Sequence, residues 1–228
     1  MSVVTKEIEN RKSKIENPLR IVDCGLAGYR DILDLQLRLH EQRRQGQIPD
    51  TILIVEHEPV ITLGARQSAN ILLVDGGCLA DRGIQLVSTR RGGGATAHNP
   101  GQMVFYPVLD LRQLRLGISE YVRKLEAIGA ELLAQLGVDA HRRKGLPGLW
   151  VDGRKIASIG VRVSKFTTYH GMAINIQNDL GIFDLFVPCG LQSVEMTSAL
   201  KETGKSYNMN SVKEQLAPLL TKHFSSEA

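Results

Sequence analysis

Apolar positions along this chain fall into two rhythms, one of strand period and one of helix period, that alternate from end to end. Residues 51–55, Thr-Ile-Leu-Ile-Val, form an unbroken apolar run rich in β-branched side chains, the pattern of a strand buried on both faces. Runs at 19–22, 60–63, 85–89 and 103–109 predict further strands, and Glu58-Pro59 breaks the chain between two of them. Over 28–44, Tyr29, Ile32, Leu33, Gln36 and Leu37 share one side while charges occupy the other, which predicts an amphipathic helix. A short helix around 79–82 ends at Gly83. Ser119 is the expected cap of a longer helix to about residue 136, with Tyr121, Val122, Leu125, Ile128, Leu132 and Leu136 on one face and Gly137 at its end. Residues 149–151 and 155–163 flank Asp152-Gly153, a favoured hairpin turn, and 168–176 reads as another strand. A short irregular or helical stretch follows at 179–186. Ser211 and Glu214 form a capping-box pattern for a last helix to about residue 224. Hairpins mixed with long helices predict an α/β (α+β) fold, a mixed β-sheet flanked by helices. No linker or repeat interrupts the chain, so residues 19–228 are expected to form one domain after a flexible lead-in over 1–18.

Composition narrows the class without naming a chemistry. The 228 residues are 43% apolar and 23% charged, as in an ordinary globular protein. No apolar run approaches the roughly 20 residues of a membrane span. Residues 1–18 lack the apolar stretch of a signal peptide. The expectation is a cytoplasmic protein with no membrane association. Three cysteines, Cys24, Cys78 and Cys189, are too few and too scattered for a zinc site or a disulfide framework. The net charge of +4 is mild and few aromatics interleave with the basic residues, which argues against nucleic-acid binding. Two basic clusters stand out, Arg90-Arg91 and Arg142-Arg143-Lys144. A docking surface for an acidic protein fits this charge as well as solvated loops do, and for the second cluster a solvated loop face is the expected role.

Candidate chemistry gathers in two places. Pro188-Cys189-Gly190 makes Cys189 a poor fit to the middle of a helix or strand, so a tight turn presenting its sulfur is expected. Lys155 opens the strand at 155–163, and simple alternation puts it with Ala157, Ile159, Val161 and Val163 on the apolar side. Desolvation there would make it a proton carrier. A turn-borne thiol with an inward lysine suggests acyl transfer through a thioester. Each alone has a plainer role, a small buried residue for Cys189 and a strand-end lysine reaching solvent for Lys155.

The second place is the stretch 90–101, where Gly92-Gly93-Gly94 follows two arginines and lets backbone amides approach a ligand. It contains neither a Lys-Ser/Thr phosphate loop nor a GxGxxG pattern. His98 closes the loop, and His170 precedes Gly171. The six histidines show no metal-ligand spacing, so no metal site is expected.

Four ordered motifs resemble the lipoyl(octanoyl) transferase family. They are Arg91-Gly92-Gly93-Gly94-Ala95-Thr96-Ala97-His98-Asn99-Pro100-Gly101-Gln102 with Tyr106-Pro107-Val108-Leu109-Asp110-Leu111, the lysine segment 145–158, His170-Gly171-Met172-Ala173-Ile174-Asn175, and Pro188-Cys189-Gly190-Leu191. The resemblance implies the fold of biotin and lipoate ligases. It implies Cys189 as the acyl-accepting nucleophile and Lys155 as its acid/base partner. Arg91, Gly92, Gly93, Gly94, Ala95, Thr96, Ala97 and His98 would wrap the acyl group, with Ser158, Ile159, Gly160, Gly171, Met172 and Ala173 lining the same pocket. The implied donor is octanoyl-acyl carrier protein. The implied acceptors are lipoyl domains of 2-oxoacid dehydrogenase complexes or the glycine cleavage H protein. No cofactor or ATP is implied, because thioester to amide runs downhill. The familiar form of the motif has an aromatic residue at Ala97 and glycine at Asn99. Ala97 is therefore expected to reshape the acyl tunnel, and Asn99 to take up a left-handed backbone. An ATP-dependent lipoate or biotin ligase of the same fold, a noncatalytic acyl-binding protein, and a thioesterase are the alternatives.

Overall fold

The computed structural model describes residues 6–7, 19–188 and 194–225. The unbroken apolar run becomes the centre of the larger sheet. Its strand, β3 (Thr51–His57), lies between β2 (Arg20–Ala27) in parallel and β7 (Gln102–Val108) in antiparallel pairing. A parallel neighbour needs a crossover, and the predicted amphipathic helix supplies it as α1 (Tyr29–Arg44). With β1 (Lys6–Glu7), β8 (His141–Arg143), β9 (Leu146–Val151), β10 (Arg154–Ser164) and β11 (Thr167–Asn175), the strand order is β1-β2-β3-β7-β11-β10-β9-β8. A smaller sheet, β5-β4-β6, contains β4 (Val60–Leu63), β5 (Gln85–Ser88) and β6 (Thr96–His98), with α2 (Gly76–Asp81) joining its parallel pair β4 and β5. The mixed sheet flanked by helices is as the sequence predicts.

Strand alternation sorts side chains between two layers. Ile52, Ile54, Met103, Phe105, Met172 and Ile174 pack on one face against α3 (Ile118–Gln135) and α5 (Met209–Phe224), through Leu125, Ile128, Leu132, Leu216 and Leu220. Leu53, Val55, Val104, Tyr106 and Ala173 lie on the other face with Ile32 of α1.

Several boundaries differ from expectation. Helix α3 starts before Ser119: Gly117 is its cap, and the Glu120 carboxylate accepts from the Gly117 N–H at 2.8 Å. Helix α5 is capped by Asn208, whose side-chain oxygen accepts from the N–H groups of Asn210 and Ser211. Ser211 lies inside the first turn. A helix starts where a side chain satisfies its free amides, and Asn208 does so one turn before the capping-box pattern. Lys6 and Glu7, within the expected lead-in, pair with Val22 and Asp23. The basic cluster is not a loop: residues 141–143 form the exposed edge strand β8, and the Arg143 guanidinium lies 5.0 Å from the Trp150 ring centroid. A short helix α4 (Ala199–Thr203), capped by Ser198, has no counterpart in the periodicity analysis.

Two buried cations fasten the helices to the sheet. Arg43, at the end of α1, donates to Asp50 at 2.6 Å and to Gln113 at 2.6 Å, and Asp50 also accepts from the Asp110 N–H. Burial pushes the Asp50 carboxyl up, against the bonds that hold it ionised. Lys213 of α5 reaches Asp23 at 3.2 Å and Glu56 at 3.5 Å. Replacing Arg43 by Leu would leave Asp50 buried without its cation, so we expect a loss of about 3 kcal/mol of unfolding free energy in urea titrations. A change below about 0.5 kcal/mol would mean that the pair is not holding α1 to the sheet.

Candidate active site

The glycine loop lies between β5 and β6 and is shaped by the arginine that precedes it. Arg91 is buried. Its guanidinium donates to the Thr62 carbonyl at 2.7 Å, to the Thr62 hydroxyl, and to the carbonyls of Gly92 and Gly94 at 3.1 and 2.7 Å. The loop thus folds back over its own cation. Gly93 has φ of 85°, a conformation that glycine adopts without strain. A Cβ on Gly94 would sit 2.3 Å from the Ala69 carbonyl oxygen, so only glycine fits there. The Gly92 N–H donates to the Val161 carbonyl at 3.0 Å, tying the loop to β10.

Beneath the loop a pocket opens against the larger sheet. It is lined by Arg91, Gly92, Gly93, Gly94, Thr96 and His98, by Ser158, Ile159 and Gly160 of β10, and by Gly171, Met172 and Ala173 of β11. These are the residues expected from sequence, with two exceptions. Ala95 and Ala97 alternate with Thr96 and His98, so they face away, fully buried among Ile61, Phe183 and Phe186. The expectation that Ala97 reshapes the acyl tunnel is corrected accordingly. The expectation for Asn99 is also corrected: the left-handed residue in that turn is Gly101, with φ of 85°. Asn99 instead donates to the Asp179 carbonyl at 2.8 Å and accepts from Asn178 at 3.1 Å.

Four further lining residues were not assigned to the pocket from sequence, namely Tyr29, Val104, Tyr106 and His170. Tyr29 sits on the apolar side of α1, where periodicity marks it only as core. Tyr106 and His170 belong to quoted motifs but carried no role. Behind them lies His57. Its Nδ1 is 3.1 Å from the Ala27 carbonyl and its Nε2 is 2.8 Å from the Tyr106 hydroxyl. Nδ1 therefore carries the proton, and Nε2 accepts from Tyr106. His98 donates from Nδ1 to Gln102 Oε1 at 2.7 Å, while Gln102 donates its amide to Ala97 and Asn175. Tyr29 stacks on His98, with centroids 5.7 Å apart and planes 10° apart.

Lys155 is buried, as expected, but not on the expected face. It pairs with Trp150, whereas Ala157 pairs with the adjacent Leu149, so a β-bulge separates the two. Paired antiparallel residues share a face, and Trp150 and Leu149 lie on opposite faces. The bulge therefore turns Lys155 away from Ala157 and onto the face of Ser158. Its Nζ donates to the Pro147 carbonyl at 3.0 Å and lies 5.0 Å from the Trp150 ring centroid. Lys155 lines a second cleft with Pro147 and with Gly92, Gly93, Ile159 and Gly160, four residues shared with the pocket. Cys189 lies outside the described residues. The chain that returns after it runs beside Lys155: the Lys155 N–H donates to the Glu195 carbonyl at 2.8 Å, and the Thr197 N–H to the Lys155 carbonyl at 2.9 Å.

A family model described as the lipoyl protein ligase A/B catalytic domain matches residues 28–221. The chain belongs to this family. An octanoyltransferase of Koribacter versatilis is 38% identical over 90% of this chain and 82% of its own length. An octanoyltransferase of Syntrophobacter fumaroxidans is 40% identical, covering 90% of each chain. These relatives make the protein an acyltransferase. The fold is that of the bi-partite lipoate protein ligase from Thermoplasma acidophilum, with a TM-score of 0.67 at 16% identity over 92% of this chain and 84% of that one. No helix of the described residues is long and apolar enough to cross a membrane.

Burial holds the two pocket histidines and His57 behind them neutral. It pushes His57 down to about 4, and together with Arg91 pushes His170 down to about 3; burial and then His57 push His98 well below its ordinary 6.5. In the unfolded chain these rings take protons near pH 6.5. Their depressed folded values mean that the stability is fully present above about pH 6.5 and is lost as pH falls towards the folded values. A single ring held near 4 accounts for a drop of about 2 to 3 kcal/mol in urea-unfolding free energy between pH 7 and pH 4.5, so with three such rings we expect a larger drop than that. His57→Gln should show a shallower slope over this interval. Equal slopes would mean that His57 takes its proton equally well in the folded state.

Proposed function

We propose that this acyltransferase moves an octanoyl (lipoyl) group from the thioester of an acyl carrier protein to a lysine amine of a lipoyl domain, through an acyl-enzyme on Cys189. The observation that carries the proposal is the junction of the two cavities. The acyl pocket and the Lys155 cleft share Gly92, Gly93, Ile159 and Gly160. An acyl chain lying in the pocket would therefore turn its carbonyl end towards Lys155. Glu195, hydrogen-bonded to Lys155, follows Cys189 closely in the chain, which supports bringing thiol and amine together.

The chemistry balances in two steps. Cys189 gives its thiol proton to neutral Lys155, and the thiolate Sγ attacks the thioester carbonyl. The tetrahedral intermediate collapses by breaking the carbon–sulfur bond to phosphopantetheine, whose thiolate leaves with the proton from Lys155. The neutral amine of a lipoyl-domain lysine then attacks the Cys189 thioester. A carbon–nitrogen bond forms, the carbon–sulfur bond breaks, and Lys155 passes the amine proton to the departing thiolate of Cys189. Thioester to amide is downhill, so the route needs neither ATP nor a cofactor. Arg91 and the glycine-rich loop wrap the acyl chain. The acceptors are lipoyl domains of 2-oxoacid dehydrogenase complexes or the glycine cleavage H protein, in the cytoplasm. The small positive net charge suits acidic partners.

Intact-mass measurement tests the route. With octanoyl-acyl carrier protein and no ATP, the wild-type protein should gain the mass of one octanoyl group, and Cys189→Ser should gain none. Addition of an unmodified lipoyl domain should discharge the group onto it. Acylation of Cys189→Ser at the wild-type rate would remove the nucleophile assignment. Activity on free octanoic acid only when ATP is supplied would identify an adenylating ligase, and release of octanoate to water a thioesterase. Lys155→Arg, whose guanidinium stays protonated near neutrality and so cannot take the Cys189 proton, should lower turnover by about 100-fold or more. Unchanged turnover would leave Lys155 a structural residue.

A further inference from the structure

The inner end of the acyl pocket is polar. Tyr29 and His170 are each 1% exposed and both line the cavity. The Tyr29 hydroxyl and both ring nitrogens of His170 have no hydrogen-bond partner among the described residues. The two groups lie far from the lysine. Val161 pairs with His170, and Lys155 stands six residues earlier on β10, which is roughly 17–20 Å along a strand. Tyr29 joins the same end through its stack on His98, its 5.1 Å contact with His57, and the 6.4 Å approach of Tyr106 to His170. His170 is held in place by a left-handed backbone, φ 57°, and by its N–H donating to Gln36 at 2.8 Å.

An alkyl chain offers these groups nothing, whereas water satisfies them. A buried neutral imidazole has one donor and one acceptor, and a tyrosine hydroxyl has both. We propose that Tyr29 and His170 form the length gauge of the pocket, holding hydrogen-bonded water at its inner end so that an acyl chain is accepted only while that water stays in place. This rests on the acyl-transfer reading above and adds what limits the chain. A longer chain must expel the water and press its methyl end against polar atoms that then have no partner. Displacing an ordered water by an apolar group that cannot reproduce its bonds loses affinity. The discrimination comes from desolvated polar atoms rather than from a wall.

Tyr29→Phe removes the hydroxyl and keeps the ring stacked on His98. The readout is the ratio of kcat/KM for decanoyl to octanoyl thioesters on one carrier protein, with the lipoyl domain as acceptor. We expect Tyr29→Phe to raise this ratio about tenfold over wild type, mostly through KM. An unchanged ratio, or equal losses on both chain lengths, would overturn the proposal and leave Tyr29 a packing residue. In parallel, calorimetric binding of octanoic and decanoic acids to both proteins should show the same shift in ratio. If the wild-type protein transfers no octanoyl group, the acyl-transfer reading fails, and the ratio of acid affinities still decides whether Tyr29 gauges length.

Discussion

The buried guanidinium of Arg91 organises the site. It bonds at once to Thr62 of the smaller sheet and to the carbonyls of Gly92 and Gly94 in its own loop. A planar fork with several fixed donors holds three carbonyls in one arrangement, which the compact ammonium of a lysine does not match. The loop is in turn bonded to β10 through Gly92 and to Ala69 through Ala95. The roof of the pocket is thus fastened to the larger sheet by a main-chain bond and to the smaller sheet by the Arg91 side chain. Burial keeps His98 and His170 neutral, and the same cation adds to this by opposing their protonation.

Irregularities in the strands aim the chemistry. A regular β10 would have put Lys155 among the apolar side chains under α3. The bulge before Ala157 puts it on the opposite face, beside the glycine loop. On β11, the left-handed His170 breaks alternation in the same way and delivers an imidazole to the pocket instead of the core. A bulge costs ladder bonds and a left-handed non-glycine residue costs local strain, and both persist where the surrounding packing determines them. Here the packing is tight: the His170 N–H is held by Gln36 of α1, and Lys155 is bonded at main chain and side chain alike.

The smaller sheet divides its labour by alternation. Thr96 and His98 face the pocket, while Ala95 and Ala97 pack on Ile61, Phe183 and Phe186 beneath the segment that leads to Pro188. The pocket and the packing of Phe183 and Phe186 therefore lie on opposite faces of one short strand. Small side chains at 95 and 97 serve that packing and do not widen the cavity.

Hydrophobic period alone determined the long elements here, because a fully apolar run such as 51–55 or a one-sided helix such as α3 buries its face in any packing that forms. The ordered motifs determined the family and most of the pocket, since their glycines and Arg91 are required by close backbone approach that few other residues permit. Only the tertiary structure decided which way Lys155, Ala97 and His170 point. Lys155 depends on a residue inserted into its strand, Ala97 on regular alternation and His170 on a left-handed backbone, and a one-residue change of register reverses every face without altering composition or spacing. Tyr29 and His57 were equally hidden, as members of a helix face and a strand end. They meet His98 across three separate elements, and nothing local to any of them encodes that meeting.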